Sequence, residues 1–162
     1  MDGSEWQWTC HYMFQGIEKD VIVILKKKKV SESPFHSFIG KGLIDLSPQE
    51  VYNCVRNPNQ RYIFDNMLKE LHVVKQIDSD LYILHMQHET TQCFLRQSRD
   101  FCILVCERSE PNKKIIVGAS VEVPECPPQP SCTRGKVMTS GWVIEPYRYK
   151  EKLLTQVTYL VQ

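Results

Sequence analysis

Residues 98–108, SRDFCILVCER, constrain this chain more than any other stretch. They start polar, at Arg99 and Asp100, and run into apolar residues that fill both faces of an extended strand. Phe101, Ile103 and Val105 point one way, and Cys102, Leu104 and Cys106 the other. A segment apolar on both faces needs cover on both, so it belongs in the middle of a covered sheet.

The flanking sequence supplies such a sheet. Residues 6–14 and 21–29 read as strands on either side of Gly16 and Asp20, and residues 35–46 read as a third. Ser47-Pro48-Gln49-Glu50 then carries an N-cap serine, a proline at the first helical position and a glutamate placed to close a capping box. That helix ends at Asn57-Pro58-Asn59, and a second short one covers residues 60–67. From Lys69 the period returns to two, with a turn at Asp78-Ser79-Asp80, which predicts a hairpin. Residues 89–98 read as an irregular loop, residues 113–123 as a strand, and Pro124, Pro127, Pro128 and Pro130 as a stiff loop outside any ladder. Residues 137–145 and 152–161 are the last strands, joined across Pro146. The pattern predicts a single α+β domain over residues 1–162: a curved antiparallel sheet of about nine strands with one or two short helices.

Composition excludes several function classes. A net charge of +1 offers little pull on a phosphate backbone, so no nucleic-acid partner is expected. The longest apolar run, Val21 to Leu25, is too short to span a bilayer, and the start of the chain has no signal-peptide pattern, which predicts a cytoplasmic protein. Seven cysteines, with spacings that match no common zinc pattern, are expected to be reduced structural thiols. The run Lys26 to Lys29 reads as a solvated strand end. His85 and His88, three apart on a strand, face opposite sides, and neither they nor His72 sit in a metal or acid–base motif. No cofactor, no metal and no catalysis are expected.

Arg99-Asp100-Phe101 resembles a strand of START (StAR-related lipid-transfer) domains, and further blocks agree in order. They are Arg61-Tyr62-Ile63-Phe64-Asp65, Ala119-Ser120-Val121, Arg134-Gly135 and Ser140-Gly141-Trp142-Val143-Ile144, so the resemblance runs from about Trp8 to Gln162. It implies a helix-grip fold and a non-catalytic module that holds one lipid in an apolar interior and touches membrane surfaces transiently.

In the family's phosphatidylcholine carrier, the arginine and aspartate matching Arg61 and Asp65 lie in the lipid tunnel. The resemblance therefore implies that Arg61 holds a phosphate, a task its planar fork suits, and that Asp65 orients it or faces the choline. Phe64 stands where the family usually has tryptophan. The sterol carriers' tunnel carboxylate and arginine align with Met86 and Val105, which favours a phospholipid-type ligand over a sterol. Leu84, Met86, Phe101, Ile103, Val105 and Trp142 are the expected cavity lining, and Phe94 and Pro127 mark the expected gate loops.

The chain departs from the family pattern in one respect. No long amphipathic helix follows the last strand, so the domain reads as truncated at both ends, with a protein partner expected over the open sheet. The alternative is a non-transporting regulatory or protein-interaction domain of a larger protein. The stretch from Ala119 to Pro146 is similar to START copies appended to a kinesin-like motor or to acyl-CoA thioesterases. A third reading is a Bet-v1-like binder of small ligands.

Overall fold

In a computed structural model, the described residues are 7–16, 19–29, 36–92 and 95–162. In chain order they form β1 (Gln7–Gly16), β2 (Lys19–Lys29), β3 (His36–Ile44), α1 (Pro48–Arg56), α2 (Pro58–Phe64), β4 (Leu68–Asp78) and β5 (Leu81–Gln92). Then follow β6 (Leu95–Glu110), β7 (Lys113–Ser120), β8 (Thr133–Arg134), β9 (Ser140–Tyr149) and β10 (Lys152–Val161). Antiparallel strands with two short helices match the expected α+β class.

The chain divides into two compact units, the first comprising Met1–Tyr52, Ser109–Ile115 and Ser140–Gln162. Here the strand order is β1-β2-β3-β10-β9, every pair antiparallel. Its most buried residues include Ile144 and Thr155, both with no exposed surface. Thr155 is a polar side chain in that position because its Oγ1 donates to the Leu46 carbonyl at 2.6 Å. Trp142 pairs with Tyr159 across β9 and β10, and the two rings stack at 4.1 Å. Pro146, expected to separate two strands, lies inside β9 opposite Thr155.

The second unit comprises Asn53–Arg108 and Ile116–Thr139, with strand order β7-β6-β5-β4 and β8 lying parallel on β6. The stretch from residue 98 to 108 is its central strand, part of a β6 that starts earlier, at Leu95. The expected loop over residues 89–98 is a correction: β5 runs on to Gln92 and pairs with β6 through Gln92↔Leu95. Thr90, Thr91, Arg96 and Gln97 are polar, but their strands pair in the ladder, and Glu89 N donates to the Met67 carbonyl at 2.9 Å.

Register sorts the side chains of β5 and β6 onto two faces. Tyr82, Leu84, Met86 and His88 share one face with Val105, Ile103 and Phe101. Ile83 and His85 share the other with Leu104, Cys102 and Asp100. On this second face Ile83, Cys102 and Cys126 form a buried cluster, with Val74, Leu104, Val121 and Val123 against it. The proline loop supplies Cys126 and so covers that face. Burial, then the adjacent Cys126 thiol, pushes the Cys102 thiol up to about 12, which leaves it protonated and inert. Among the described residues, Cys54, Cys102, Cys106, Cys126 and Cys132 carry free thiols.

Candidate functional site

Two polar clusters sit on opposite faces of β5 and β6. The first is organised by α2, whose N-terminus is capped by Asn57, its Oδ1 accepting from Asn59 N at 3.0 Å. One helical turn apart, Arg61 and Asp65 meet, with Arg61 Nε 3.4 Å from Asp65 Oδ2. The helix ends on the same pair, Asp65 N donating to the Arg61 carbonyl at 3.0 Å. His88 of β5 completes the cluster: its Nε2 lies 3.3 Å from Asp65 Oδ2, and its ring meets the Phe101 ring edge-on at 5.5 Å.

All three side chains are mostly sheltered, at 23% exposure for Arg61, 13% for Asp65 and 17% for His88. Burial pulls the His88 imidazole below its ordinary pKa, Asp65 opposing the drop and Arg61 adding to it. His88 is therefore a neutral hydrogen-bonding group at neutral pH, and Arg61 supplies the fixed positive charge beside it. The arrangement offers one guanidinium, one carboxylate and one imidazole at the margin of an apolar face that includes Met86 and Ile103. That combination suits an amphiphile with a charged head.

Five of the expected lining residues, Leu84, Met86, Phe101, Ile103 and Val105, lie on this one face. Trp142 belongs to the first unit. Phe64 is 43% exposed at the end of α2, beside exposed Ile63 and Met67. Pro127 is exposed in a loop that covers the opposite face, and Phe94 lies outside the described residues. His88 is the member that residue spacing did not bring to the pair. The signal for it is the register of β4 on β5, which sets Leu68, just after α2, opposite His88.

The second cluster is built on Asp100, fully buried. Its Oδ2 accepts from Arg134 Nη2 at 2.7 Å, Arg134 Nε at 3.1 Å and Gln129 N at 3.2 Å, and lies 3.3 Å from His85 Nε2. Arg134 also donates to the Cys126 carbonyl from both Nη1 and Nη2, and Gly135 N donates to the Asp100 carbonyl. Burial alone would raise the Asp100 pKa. The Arg134, Gln129 and His85 hydrogen bonds outweigh it and hold the carboxyl below the usual range. Asp100 therefore ties down the proline loop that follows it; Arg99 is exposed. As predicted, His85 faces away from His88.

A third arrangement escaped sequence reading. Glu107, 3% exposed, accepts from Tyr82 OH at 2.8 Å and pairs with Arg56 at 2.9 Å. These residues line an open recess of about 330 Å³ with Val73 and Gln76.

Comparison with known proteins places the chain in a family. The START domain model matches residues 6–162. The chain is similar to StAR-related lipid transfer protein 9 of Homo sapiens, 26% identical over 157 residues, which are 96% of this chain and 3% of that protein. It is 32% identical over 132 residues to StAR-related lipid transfer protein 6 of Homo sapiens, covering 78% of this chain and 60% of that one. The chain thus spans less than two thirds of the length of these relatives. The solved structure of human StAR-related lipid transfer protein 5 superposes with a TM-score of 0.81 at 23% identity, over 99% of this chain and 72% of that chain, and carries the same fold. Because the family model covers nearly the whole sequence, the chain belongs to the START domain family.

Proposed function

We propose that this chain is a lipid-binding module that holds one lipid without chemistry, and that the ligand is phospholipid-like rather than a sterol. The observation that carries this is the sheltered Arg61, Asp65 and His88 cluster at the edge of the face bearing Met86, Phe101, Ile103 and Val105. A guanidinium fork grips a phosphate, burial of acyl chains at about 25 cal/mol per Å² supplies the affinity, and neutral His88 adds a hydrogen bond without a second charge. Met86 and Val105, both buried, offer no polar anchor to a sterol hydroxyl. The names of the relatives, which carry lipid transfer, support the broader reading. Exposed Ile63, Phe64 and Met67 around α2 would meet a membrane surface during uptake.

The test is native mass spectrometry after incubation with liposomes of phosphatidylcholine and cholesterol. One phosphatidylcholine per chain is expected, and Arg61→Ala should reduce its occupancy about tenfold, the loss of one charge-assisted contact. Cholesterol uptake, or phospholipid uptake indifferent to Arg61→Ala, would overturn the headgroup assignment.

A second reading rests on a different observation. The matching stretch is 3% of StAR-related lipid transfer protein 9, a small part of a very long chain. In such a setting the module would serve as a non-transporting regulatory or interaction domain, and absence of any bound lipid in the same experiment would select it.

A further inference from the structure

On the face of β5 turned away from the proposed lipid site, the hairpin brings together three metal-ligating side chains from two strands. His72 of β4 stands directly opposite His85 of β5, with ring centroids 5.1 Å apart. Glu70, two residues earlier on the same face, lies with its Oε1 3.2 Å from His72 Nδ1. One donor atom from each of Glu70, His72 and His85 lies within 4.8 Å of the others. Irregularities in the β4 register, between Leu68 and Glu70 and between Val73 and Lys75, bracket this stretch. Such bulges commonly re-aim side chains.

His85 is the informative member. It is 3% exposed, its Nε2 faces Asp100 Oδ2 at 3.3 Å, and its Nδ1 has no hydrogen-bond partner. With Nε2 turned to the Asp100 carboxylate, Nδ1 is the buried ring nitrogen left to take a ligand. A buried acceptor without a donor is costly, and a cation is one way to satisfy it. A carboxylate fixing the far nitrogen of an imidazole is also the support that metal-ligating histidines characteristically have.

We propose that Glu70, His72 and His85 form a binding site for a divalent transition cation of the zinc class, with Asp100 orienting His85 from behind. Two imidazoles and one carboxylate suit zinc, cobalt or nickel, whereas calcium and magnesium favour oxygen ligands throughout. Tetrahedral zinc with bonds of about 2.0–2.1 Å sets neighbouring donors about 3.3 Å apart. Glu70 and His72 already stand at that spacing, and both are exposed enough to swing toward His85. Three protein ligands leave a coordination position for solvent. The bound ion would clamp β4 to β5.

The experiment is a zinc chloride titration of the tag-free, reduced full chain against a chromophoric chelator, repeated with His72→Ala and Glu70→Gln. Both substitutions alter exposed side chains and leave the fold intact, which keeps the test readable even where His85→Ala unfolds the chain. One equivalent of zinc is expected, with affinity at least about tenfold weaker in His72→Ala, by comparison with losses seen when metal-site partners are removed. Cobalt(II) in place of zinc should give visible bands without the near-ultraviolet charge transfer of thiolate ligation. No zinc uptake, equal uptake by wild type and His72→Ala, or a cobalt spectrum showing thiolate would each overturn the proposal.

Discussion

Asp100 has one carboxylate oxygen that accepts from a guanidinium and a backbone amide and sits against an imidazole, in a position with no exposure at all. Its partner Arg134 keeps 23% of its side-chain surface in contact with water. Removing the charge leaves Arg134 and the Gln129 amide facing a weaker acceptor, so Asp100→Asn should cost about 3 kcal/mol, the low end for a broken buried pair. The pH dependence has a definite sign. A carboxyl held below its unfolded pKa of about 3.9 stabilises the fold fully above that value and loses the contribution as pH falls through its lower folded pKa. Urea unfolding should therefore show a large deficit for Asp100→Asn at pH 7 and a much smaller one in strong acid. An equal deficit at both pH values would mean the residue acts through shape alone.

The helices were legible because their signals are local. Ser47 Oγ donates to Glu50 Oε2 at 2.6 Å, Ser47 N donates to the same oxygen at 2.8 Å, and Glu50 N returns a longer bond to Ser47 Oγ at 3.3 Å. This is the capping box that the four residues encode. Ser47→Ala should cost about 1 kcal/mol in thermal or chemical unfolding. The outer halves of β5 and β6 were not legible, because Thr90, Thr91 and Gln97 carry no apolar alternation. Their pairing comes from backbone groups continuing a register set by the central strand. The meeting of His72 with His85 was hidden for a related reason: two bulges in β4 break the simple count of residues along the strand. Beside β8, Gly135 shows why Arg134-Gly135 is a pair. A Cβ there would lie 2.2 Å from Phe101 Cε1, so Gly135→Ala must drive the Phe101 ring out of its place. We expect Gly135→Ala to destabilise the chain by about 1–3 kcal/mol, the range for overpacking, and to weaken lipid uptake through the displaced ring.

At the scale of the molecule, the α+β class and the approximate position of most strands were legible from alternation and turn residues, and the START resemblance supplied the family to which they belong. What it could not supply was the chemistry around Arg61, since His88 reaches Asp65 only through sheet register. Membership in the family is a statement about fold; the choice of ligand belongs to the side chains of the site, which for this chain is the proposal above. The described residues contain no helix long and apolar enough to cross a membrane. The fastening of the proline loop to Asp100 bears on the order in which the second unit assembles. The β5 and β6 strands are near neighbours in sequence, Gln92 facing Leu95, and close with little loop entropy. Gln129 and Arg134 reach Asp100 across 29 and 34 residues and can dock only once that hairpin exists. The loop is then a late-closing latch: in stopped-flow measurements Arg134→Ala should speed unfolding and leave the refolding rate nearly unchanged. Slower refolding with a nearly unchanged unfolding rate would place the latch in the folding nucleus instead. On that prediction the loop would also be the first part of the unit to open, and the lifetime of the native state would then depend on one buried carboxylate and its arginine.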